Sequence, residues 1–199
     1  GNYFDIFNFN KINKFQCIIN SLFKKNYKEL FKYTLKYHNL AIRKQKVFYK
    51  FNLRNNDKKK SIHFQRNQVN KILKDKFSLS SQRLDHRSYL EQLRNSQISV
   101  GAFGWGEICY REFEAIKMGA AIIFPNIDYL ETWPNIYQDN FSYVSYELDF
   151  SNLIQKIDLV INNQNLRESL IENSQKIHKS VYSDVGLNYL INFFKKIIN

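Results

Sequence analysis

A short apolar segment, residues 120–124 (AAIIF), constrains the fold more than any other part of the sequence. Gly119 precedes this segment and Pro125 follows it, and its length and flanks favour a central strand of a parallel sheet over a helix. Stretches with helical spacing lie before and after it along the chain. This alternation predicts an α/β protein with a Rossmann-like, mainly parallel sheet flanked by helices.

The other elements follow from the period of their apolar residues. Alternation predicts strands, and spacing of three and four positions predicts helices. Strands are predicted at 46–53, 77–79, 98–103 and 142–146, and helices at 58–76, 87–95 and from 151 to the C-terminus. Asp149 or Ser151 is expected to cap the first C-terminal helix, and Gly186 to separate the last two helices.

The first 45 residues differ from the rest of the chain. Residues 11–45 have helical spacing throughout, and no Pro or Gly interrupts them. We therefore expect residues 1–45 to form a helical lead-in that packs on one Rossmann-like domain, residues 46–199. No apolar run in the sequence approaches the roughly 20 residues that a membrane-spanning helix needs, and no signal peptide is visible.

Charge is distributed unevenly along the chain. Residues 1–100 hold 22 basic and 6 acidic side chains, whereas residues 101–199 hold 8 basic and 12 acidic side chains. The basic half indicates an anionic partner, and nucleic acid, anionic lipid and nucleotide diphosphates all fit that description. A lysine-rich, solvated surface is the alternative interpretation.

Cysteine and histidine usage excludes two classes of protein. The chain has two cysteines, Cys17 and Cys109, which is too few for a disulfide framework or a four-ligand zinc site. The four histidines show no metal-ligand spacing. We interpret each histidine as structural or exposed, with an approach to the cleft as the alternative for His86, which precedes a predicted helix. Cys109 is more typical of a small packing residue than of a nucleophile.

The densest group of chemically active side chains lies in residues 101–134 (GAFGWGEICYREFEAIKMGAAIIFPNIDYLETWP). This segment follows a predicted strand, opens a helix and leads into the 120–124 strand. Gly104 and Gly106 allow a tight turn and the close approach of a ligand. The helix N-terminus that follows them favours phosphate through its unpaired N–H groups and its dipole.

Three charged residues continue from this glycine loop. Glu107, Arg111 and Glu114 are separated by four and three positions, which predicts one stripe on a helix. A carboxylate can accept hydrogen bonds from neighbouring ribose hydroxyls, and a guanidinium can pair with a diphosphate in a forked geometry. The alternative is a surface ion pair between Glu107 and Arg111, which stabilises a helix by only about 0.2–0.5 kcal/mol.

Polar residues that follow predicted strands extend the candidate site, because parallel sheets bind ligands at the carboxyl ends of their strands. Arg54 follows the first strand and is a candidate diphosphate contact, with a solvated turn residue as the alternative. Asn126, Asp128 and Thr132 follow the 120–124 strand. They are placed to touch a sugar, although residues of these types also cap their own loops.

The 101–134 segment resembles the donor-binding signature of GT-B glycosyltransferases. The resemblance rests on residues 111–116 (REFEAI), Gly119 and the 120–124 strand, and is sharpened by residues 103–107 (FGWGE) and 131–134 (ETWP). It is similar to a bacterial and viral group of these enzymes, with exostosin-like enzymes as more distant relatives. The resemblance is strongest over residues 95–160, is looser over 46–199 and does not include the first 45 residues.

The resemblance implies a specific role for each of five residues. It implies that Glu114 holds the nucleotide ribose, that Arg111 contacts the diphosphate and that Glu107 contacts the donor sugar as the catalytic residue. Gly104 and Gly106 match the loop that faces the sugar phosphate. Six residues lie between Glu107 and Glu114, whereas many GT-B transferases have seven between their two acids.

The resemblance implies transfer of a sugar from a nucleotide-diphosphate sugar to a glycan, lipid or protein acceptor. Such catalysis needs no metal or other cofactor, because helix N-termini and basic side chains stabilise the leaving diphosphate. We expect a cytoplasmic location, with peripheral contact to a membrane left open, and no nucleic-acid partner. A domain takes roughly 100–150 residues, so the 199 residues hold one half of a GT-B fold, and we expect nucleotide binding with little sugar transfer.

Two other functions remain open at this point. One is a nucleic-acid-binding module that uses the basic first half, although no known motif supports it. The other is a transferase-like domain that binds its ligand without catalysis.

Overall fold

The computed structural model describes residues 37–38, 42–51, 53, 60–77, 84–104 and 107–198. These residues contain a four-stranded parallel sheet in the order β1-β2-β3-β4. The strands are β1 (Gln45–Phe48), β2 (Ser96–Val100), β3 (Ala121–Pro125) and β4 (Val144–Tyr146). The predicted α/β fold with a parallel sheet is confirmed, and the apolar 120–124 segment supplies an inner strand.

Helices connect and follow the strands. They are α1 (Lys60–Phe77) and α2 (His86–Arg94) before β2, α3 (Tyr110–Met118) before β3, and α4 (Leu153–Asn162), α5 (Gln164–Ser180) and α6 (Asp184–Ile198) after β4. The chain divides into a unit formed by Tyr37–His178 and a second unit formed by Gly1–Lys36 and Lys179–Asn199. The sheet and helices α1–α4 belong to the first unit, and α6 belongs to the second.

Both faces of the sheet are buried under helices. Because alternate strand residues point to opposite sides, each strand contributes to two separate cores. One core contains Val47, Ile98, Ile123 and Val144 together with Val69 and Leu73 of α1 and Leu153 and Ile157 of α4. The other contains Phe48, Ile122 and Phe124 together with Leu93 of α2 and Ala115 and Ile116 of α3. Burial on two faces explains why the strands have no polar alternation.

The parallel strands bring their carboxyl ends to one edge of the sheet, here called the carboxyl edge. Helices α2 and α3 each lead directly into the next strand, so both begin near that edge. Gly119 ends α3 in a left-handed conformation with φ 70°, and Ala120 then donates its N–H to the Ala115 carbonyl. This tight turn brings the chain from α3 straight into β3, as the sequence G-A before an apolar run suggests.

The two ends of the first unit meet. The Tyr37 hydroxyl lies 2.7 Å from Nδ1 of His178, although 141 positions separate these residues in the sequence. The His38 N–H also donates to the Lys117 carbonyl at the end of α3. Residues 37–38 are therefore held against α3 and α5.

Several predicted boundaries are wrong. Phe77 is the last residue of α1, so no strand begins there as predicted for 77–79, of which residues 78–79 lie outside the described ranges. Asn152 is the N-cap of α4 rather than Asp149 or Ser151. The Asp149 Oδ1 instead accepts the Ser151 N–H in the turn before the helix, at 2.9 Å.

Gly186 does not separate the last two helices. It lies in the first turn of α6, and the break falls at residues 181–183. A Cβ at Gly186 would collide with the Val181 carbonyl. The glycine therefore serves the close approach of the incoming turn to the helix rather than the break itself.

The predicted helical lead-in, residues 1–45, lies outside the described residues except for 37–38 and 42–45. Residues 37–38 and 42–44 are not helical and Gln45 begins β1, so the prediction of a helix that extends to residue 45 is wrong. Within the part of the chain that the structure describes, no helix has both the length and the apolar character needed to cross a membrane.

Candidate functional site

Helix α3 begins at the carboxyl edge with its own acidic cap. Glu112, in the first turn, accepts hydrogen bonds at Oε2 from the Cys109 backbone N–H at 3.3 Å and from the Cys109 thiol at 3.2 Å. Only 1% of the Glu112 side chain is exposed. The carboxylate pairs an amide that the helix start would leave unsatisfied, and it places negative charge at the positive end of the helix.

Arg111 forms a buried ion pair with the same carboxylate. Its Nη1 lies 3.7 Å from the Glu112 Oε1, and 12% of its side chain is exposed. Burial is the largest influence on the pKa of Arg111 and lowers it, but the acidic groups around the guanidinium, Glu112 first among them, together outweigh burial, so the pKa is raised and the guanidinium stays charged. Burial raises the pKa of the Glu112 carboxyl, and Arg111 opposes that rise.

The Arg111 guanidinium also holds the loop that follows β2. It donates from Nη1 to the Ala102 carbonyl at 3.2 Å, and its Cζ lies 5.0 Å from the centre of the Phe51 ring. Phe51 follows β1, so the guanidinium lies where the carboxyl ends of β1 and β2 meet. A cation over an aromatic face is attracted by the ring quadrupole.

Helix α1 holds the same loop from the other side. Arg66 donates from Nε to the Phe103 carbonyl at 2.9 Å, and the Gln65 Oε1 accepts the Phe103 N–H at 2.7 Å. Burial lowers the pKa of Arg66, and the nearby charge of Arg111 lowers it further. Two guanidinium groups thus lie close together at the carboxyl edge, with Glu112 as the buried carboxylate beside them.

A cavity of about 600 Å³ lies beside this cluster. It is lined by Leu84 and Asp85 just before α2, by His86 and Tyr89 of the first turn of α2, and by Glu114 in the middle of α3. The His86 Nε2 lies 3.5 Å from the Glu114 Oε1, and 75% and 29% of these side chains are exposed. The cavity is therefore acidic and open to solvent, whereas the neighbouring cluster is basic.

Tyr89 connects the cavity to the basic cluster. Its ring stacks on His86, with centroids 6.3 Å apart and planes 8° apart, and meets the Phe48 ring edge-on at 5.1 Å. Burial raises the pKa of Tyr89, and the charge of Glu114 raises it further. The charge of Arg111 opposes the rise.

The predicted stripe of Glu107, Arg111 and Glu114 does not form as one helical stripe, because α3 begins only at Tyr110. Glu107 lies in the preceding loop with a left-handed φ of 55°, in an antiparallel bridge with Gly104. Arg111 and Glu114 share α3, where Arg111 contacts the loop after β2 and Glu114 lines the cavity. The surface ion pair of Glu107 with Arg111 is also wrong as an interpretation, since Arg111 is buried and pairs with Glu112.

Other candidate residues have local roles in the structure. A Cβ at Gly104 would lie 3.0 Å from the Cys109 Cβ, so this glycine is closely packed. The Asn126 Oδ1 accepts the Asp128 N–H at 2.8 Å, which caps their own loop. Burial raises the pKa of the Cys109 thiol to about 11, as expected for a packing residue. Arg54 and Gly106 lie outside the described residues.

The sequence interpretation did not include Glu112, Arg66 or Tyr89. A signal for Glu112 was present, because Cys109 and Glu112 have the spacing of a capping box with Cys in place of Ser or Thr. No local pattern identifies Arg66 or Tyr89, since their contacts join distant parts of the chain. Among the residues that the structure describes, no group of three or more His, Cys, Asp or Glu side chains is placed to hold a metal ion.

The fold and the site together define an α/β protein with a basic cluster and an acidic cavity on adjacent sides of α3. No protein-family model matches the chain, and no curated protein matches it.

Proposed function

We propose that this chain is the donor-binding domain of a GT-B glycosyltransferase, which transfers a sugar from a nucleotide-diphosphate sugar. One observation carries the proposal: a single helix, α3, places Arg111 in a basic cluster at the carboxyl edge and Glu114 in the adjoining acidic cavity. A nucleotide diphosphate has an anionic group next to a ribose diol. It therefore needs a cationic group and a hydrogen-bond acceptor a short distance apart, which is the arrangement that α3 supports.

The basic cluster would take the diphosphate. The 12% of the Arg111 side chain that is exposed gives a ligand access to it, and one of its donors already holds the Ala102 carbonyl, which fixes the orientation of the guanidinium. A fixed guanidinium makes forked contacts to phosphate oxygens at a lower entropic cost than a free lysine. Together with the nearby Arg66, it would stabilise the negative charge that develops on the leaving diphosphate, so that transfer proceeds without a metal.

Glu107 would face the donor sugar as the catalytic residue. Its left-handed φ of 55° is unusual for glutamate, and strained backbone of this kind is found at functional sites. The acceptor would be a glycan, a lipid or a protein, and the enzyme would act in the cytoplasm, with peripheral contact at a membrane for a lipid acceptor.

Isothermal titration with a panel of nucleoside diphosphates tests the proposal. Glu114→Gln keeps the shape of the side chain and removes its charge, and hydrogen bonds to a charged group contribute about 1.5–3 kcal/mol. We expect at least a tenfold loss of affinity in this variant, about 1.4 kcal/mol. Arg111→Lys should also weaken binding, because a point charge cannot make the forked contact.

Glu91→Gln is the matched control. Glu91 forms an exposed i,i+4 pair with Arg87 on α2 and does not line the cavity, so affinity should not change. Unchanged affinity in both Glu114→Gln and Arg111→Lys, with the fold intact by circular dichroism, would contradict the proposal.

A further inference from the structure

Helix α1 holds Phe103, in the loop after β2, at two points of its backbone. The Gln65 Oε1 accepts the Phe103 N–H at 2.7 Å, and the next residue, Arg66, donates from Nε to the Phe103 carbonyl at 2.9 Å. Gln65 is buried, so water does not compete for its contact. The Phe103 ring also meets the Phe124 ring edge-on, with centroids 5.8 Å apart. Both the backbone and the side chain of Phe103 are therefore fixed.

The two residues before Phe103 have hydrogen-bonded carbonyls as well. The Tyr146 hydroxyl donates to the Gly101 carbonyl at 3.0 Å, and the Arg111 Nη1 donates to the Ala102 carbonyl at 3.2 Å. Three consecutive carbonyls thus accept hydrogen bonds, from β4, α3 and α1 in turn. A carbonyl oxygen repels an anion through its partial negative charge, and a donor that faces the oxygen offsets that charge. This part of the loop therefore opposes the approach of an anion only weakly.

Gln65 and Arg111 hold opposite sides of one peptide group. The Ala102 carbonyl and the Phe103 N–H belong to the same planar unit, and in a trans peptide they point in opposite directions. Gln65 holds the N–H and Arg111 holds the carbonyl, so rotation of this peptide group would break both contacts. Arg66 holds the carbonyl of the next peptide group. The backbone between Ala102 and Phe103 therefore sets the spacing of the two guanidinium groups.

We propose that Gln65 is a positioning residue, which fixes this peptide group and thereby the spacing of Arg66 and Arg111, so that the two arginines bind two linked phosphoryl groups in preference to a single phosphate. The inference rests on the proposed function, since it concerns how the basic cluster takes the diphosphate. Two cations held on consecutive residues offer adjacent positive groups, and each can pair with one phosphoryl group. A neutral glutamine suits this role, because a carboxylate in its place would reduce the positive charge of the cluster.

The experiment compares inorganic pyrophosphate with orthophosphate by isothermal titration at constant ionic strength. The wild-type chain should bind pyrophosphate about tenfold or more tightly, because a second phosphoryl group adds a charge-assisted contact. Gln65→Met keeps the length of the side chain and removes the acceptor. It should weaken pyrophosphate binding about three- to tenfold, as expected for one hydrogen bond, and leave orthophosphate binding nearly unchanged. The ratio between the two affinities is a readout that a general loss of stability would not change.

Gln175→Met is the matched control. Gln175 is a buried glutamine of α5, and its Nε2 donates to the Ile116 carbonyl at 3.1 Å, toward the end of α3. Its replacement also removes a hydrogen bond from a buried glutamine to the backbone, but away from the loop after β2, so both affinities should stay the same. Gln65→Asn breaks the Phe103 contact in a second way, because its side chain is one methylene shorter. It should reproduce the effect of Gln65→Met, and it replaces that variant if Gln65→Met does not fold.

The outcomes separate the two proposals. If the wild-type chain prefers pyrophosphate and the Gln65 variants keep that preference, the positioning role is wrong and the proposed function stands. An equal loss of preference in Gln175→Met would also overturn the positioning role, since any buried glutamine would then have the same effect. If the wild-type chain binds the two anions equally, paired recognition by Arg66 and Arg111 is wrong, and the titrations with nucleoside diphosphates decide the proposed function separately. If neither these anions nor nucleoside diphosphates bind, both proposals are wrong.

Discussion

At the scale of single residues, Glu112 has the most connected position in the site. Its carboxylate caps α3 through Cys109, pairs with Arg111 and is almost fully buried. Glu112→Ala would leave the Arg111 charge buried without a partner, and breaking a buried pair in this way costs about 3–5 kcal/mol. We expect urea unfolding at pH 7 to show a loss of this size.

The exposed pair of Arg87 and Glu91 provides the comparison for this prediction. Glu91→Ala removes an acid of the same type from a helix, but the pair is 89% and 62% exposed. Its loss should cost less than about 1 kcal/mol. A similar small cost for Glu112→Ala would show that Arg111 does not depend on this carboxylate.

The buried side chain of His178 predicts that the stability of the fold depends on pH. Burial, and then the charge of Lys117, lower its pKa to about 4, and the Tyr37 hydroxyl and the Phe113 ring contact it from the other sides. An unfolded histidine has a pKa of about 6.5. Between pH 6.5 and 4 the unfolded chain therefore binds more protons than the folded chain, so stability falls as the pH is lowered through this window.

The size of this effect follows from the shift in pKa. At 1.36 kcal/mol per pKa unit, the loss amounts to at most about 3 kcal/mol, and we expect roughly 2 kcal/mol. Urea midpoints measured at several pH values should show the slope, and His178→Gln should reduce it, whereas the exposed His86→Gln should not. An equal slope in both variants would assign the acid sensitivity to other groups.

At the scale of elements, the loop between β2 and α3 depends on Gly101. A Cβ at this position would collide with the Phe124 ring and would lie 2.9 Å from the Glu112 Oε1. Overpacking of a buried site costs about 1–3 kcal/mol. Gly101→Ala should therefore lower the melting temperature clearly. Gly104→Ala, whose Cβ would contact mainly Cys109, should lower it less.

The elements themselves were largely predictable from the sequence, because their signals are local. The apolar run at 120–124, with Gly before it and Pro after it, indicates β3 independently of the rest of the sequence. The start of α3 was predicted too early, since its cap uses Cys109, a residue that is not a common N-cap. The contacts of Arg66 with Phe103 and of Tyr89 with Phe48 could not be predicted, because periodicity does not show which elements pack together.

At the scale of the whole molecule, the net charge gives a test that distinguishes nucleic acid from a nucleoside diphosphate as the partner. The chain carries a net charge of +12, which attracts any polyanion. Binding to nucleic acid through charge alone falls about 10³- to 10⁵-fold between 50 and 200 mM salt when six to ten phosphates are contacted. We expect fluorescence anisotropy with labelled oligonucleotides to show this loss, while nucleoside diphosphate binding persists at 200 mM salt. Oligonucleotide binding that survives at that salt would favour a nucleic-acid-binding function.

The contact between Tyr37 and His178 makes the first unit suitable for circular permutation. Because these first and last residues of the unit touch, the polypeptide enters and leaves the fold at one place. A linker of about four to six residues, each spanning at most about 3.3–3.6 Å, would join residue 178 to residue 37. New termini could then be opened at the exposed Tyr129 in the connection from β3 to β4. Such a circular permutant should unfold cooperatively with the same sheet, because the order in which strands occur along the chain is separable from the way they pack.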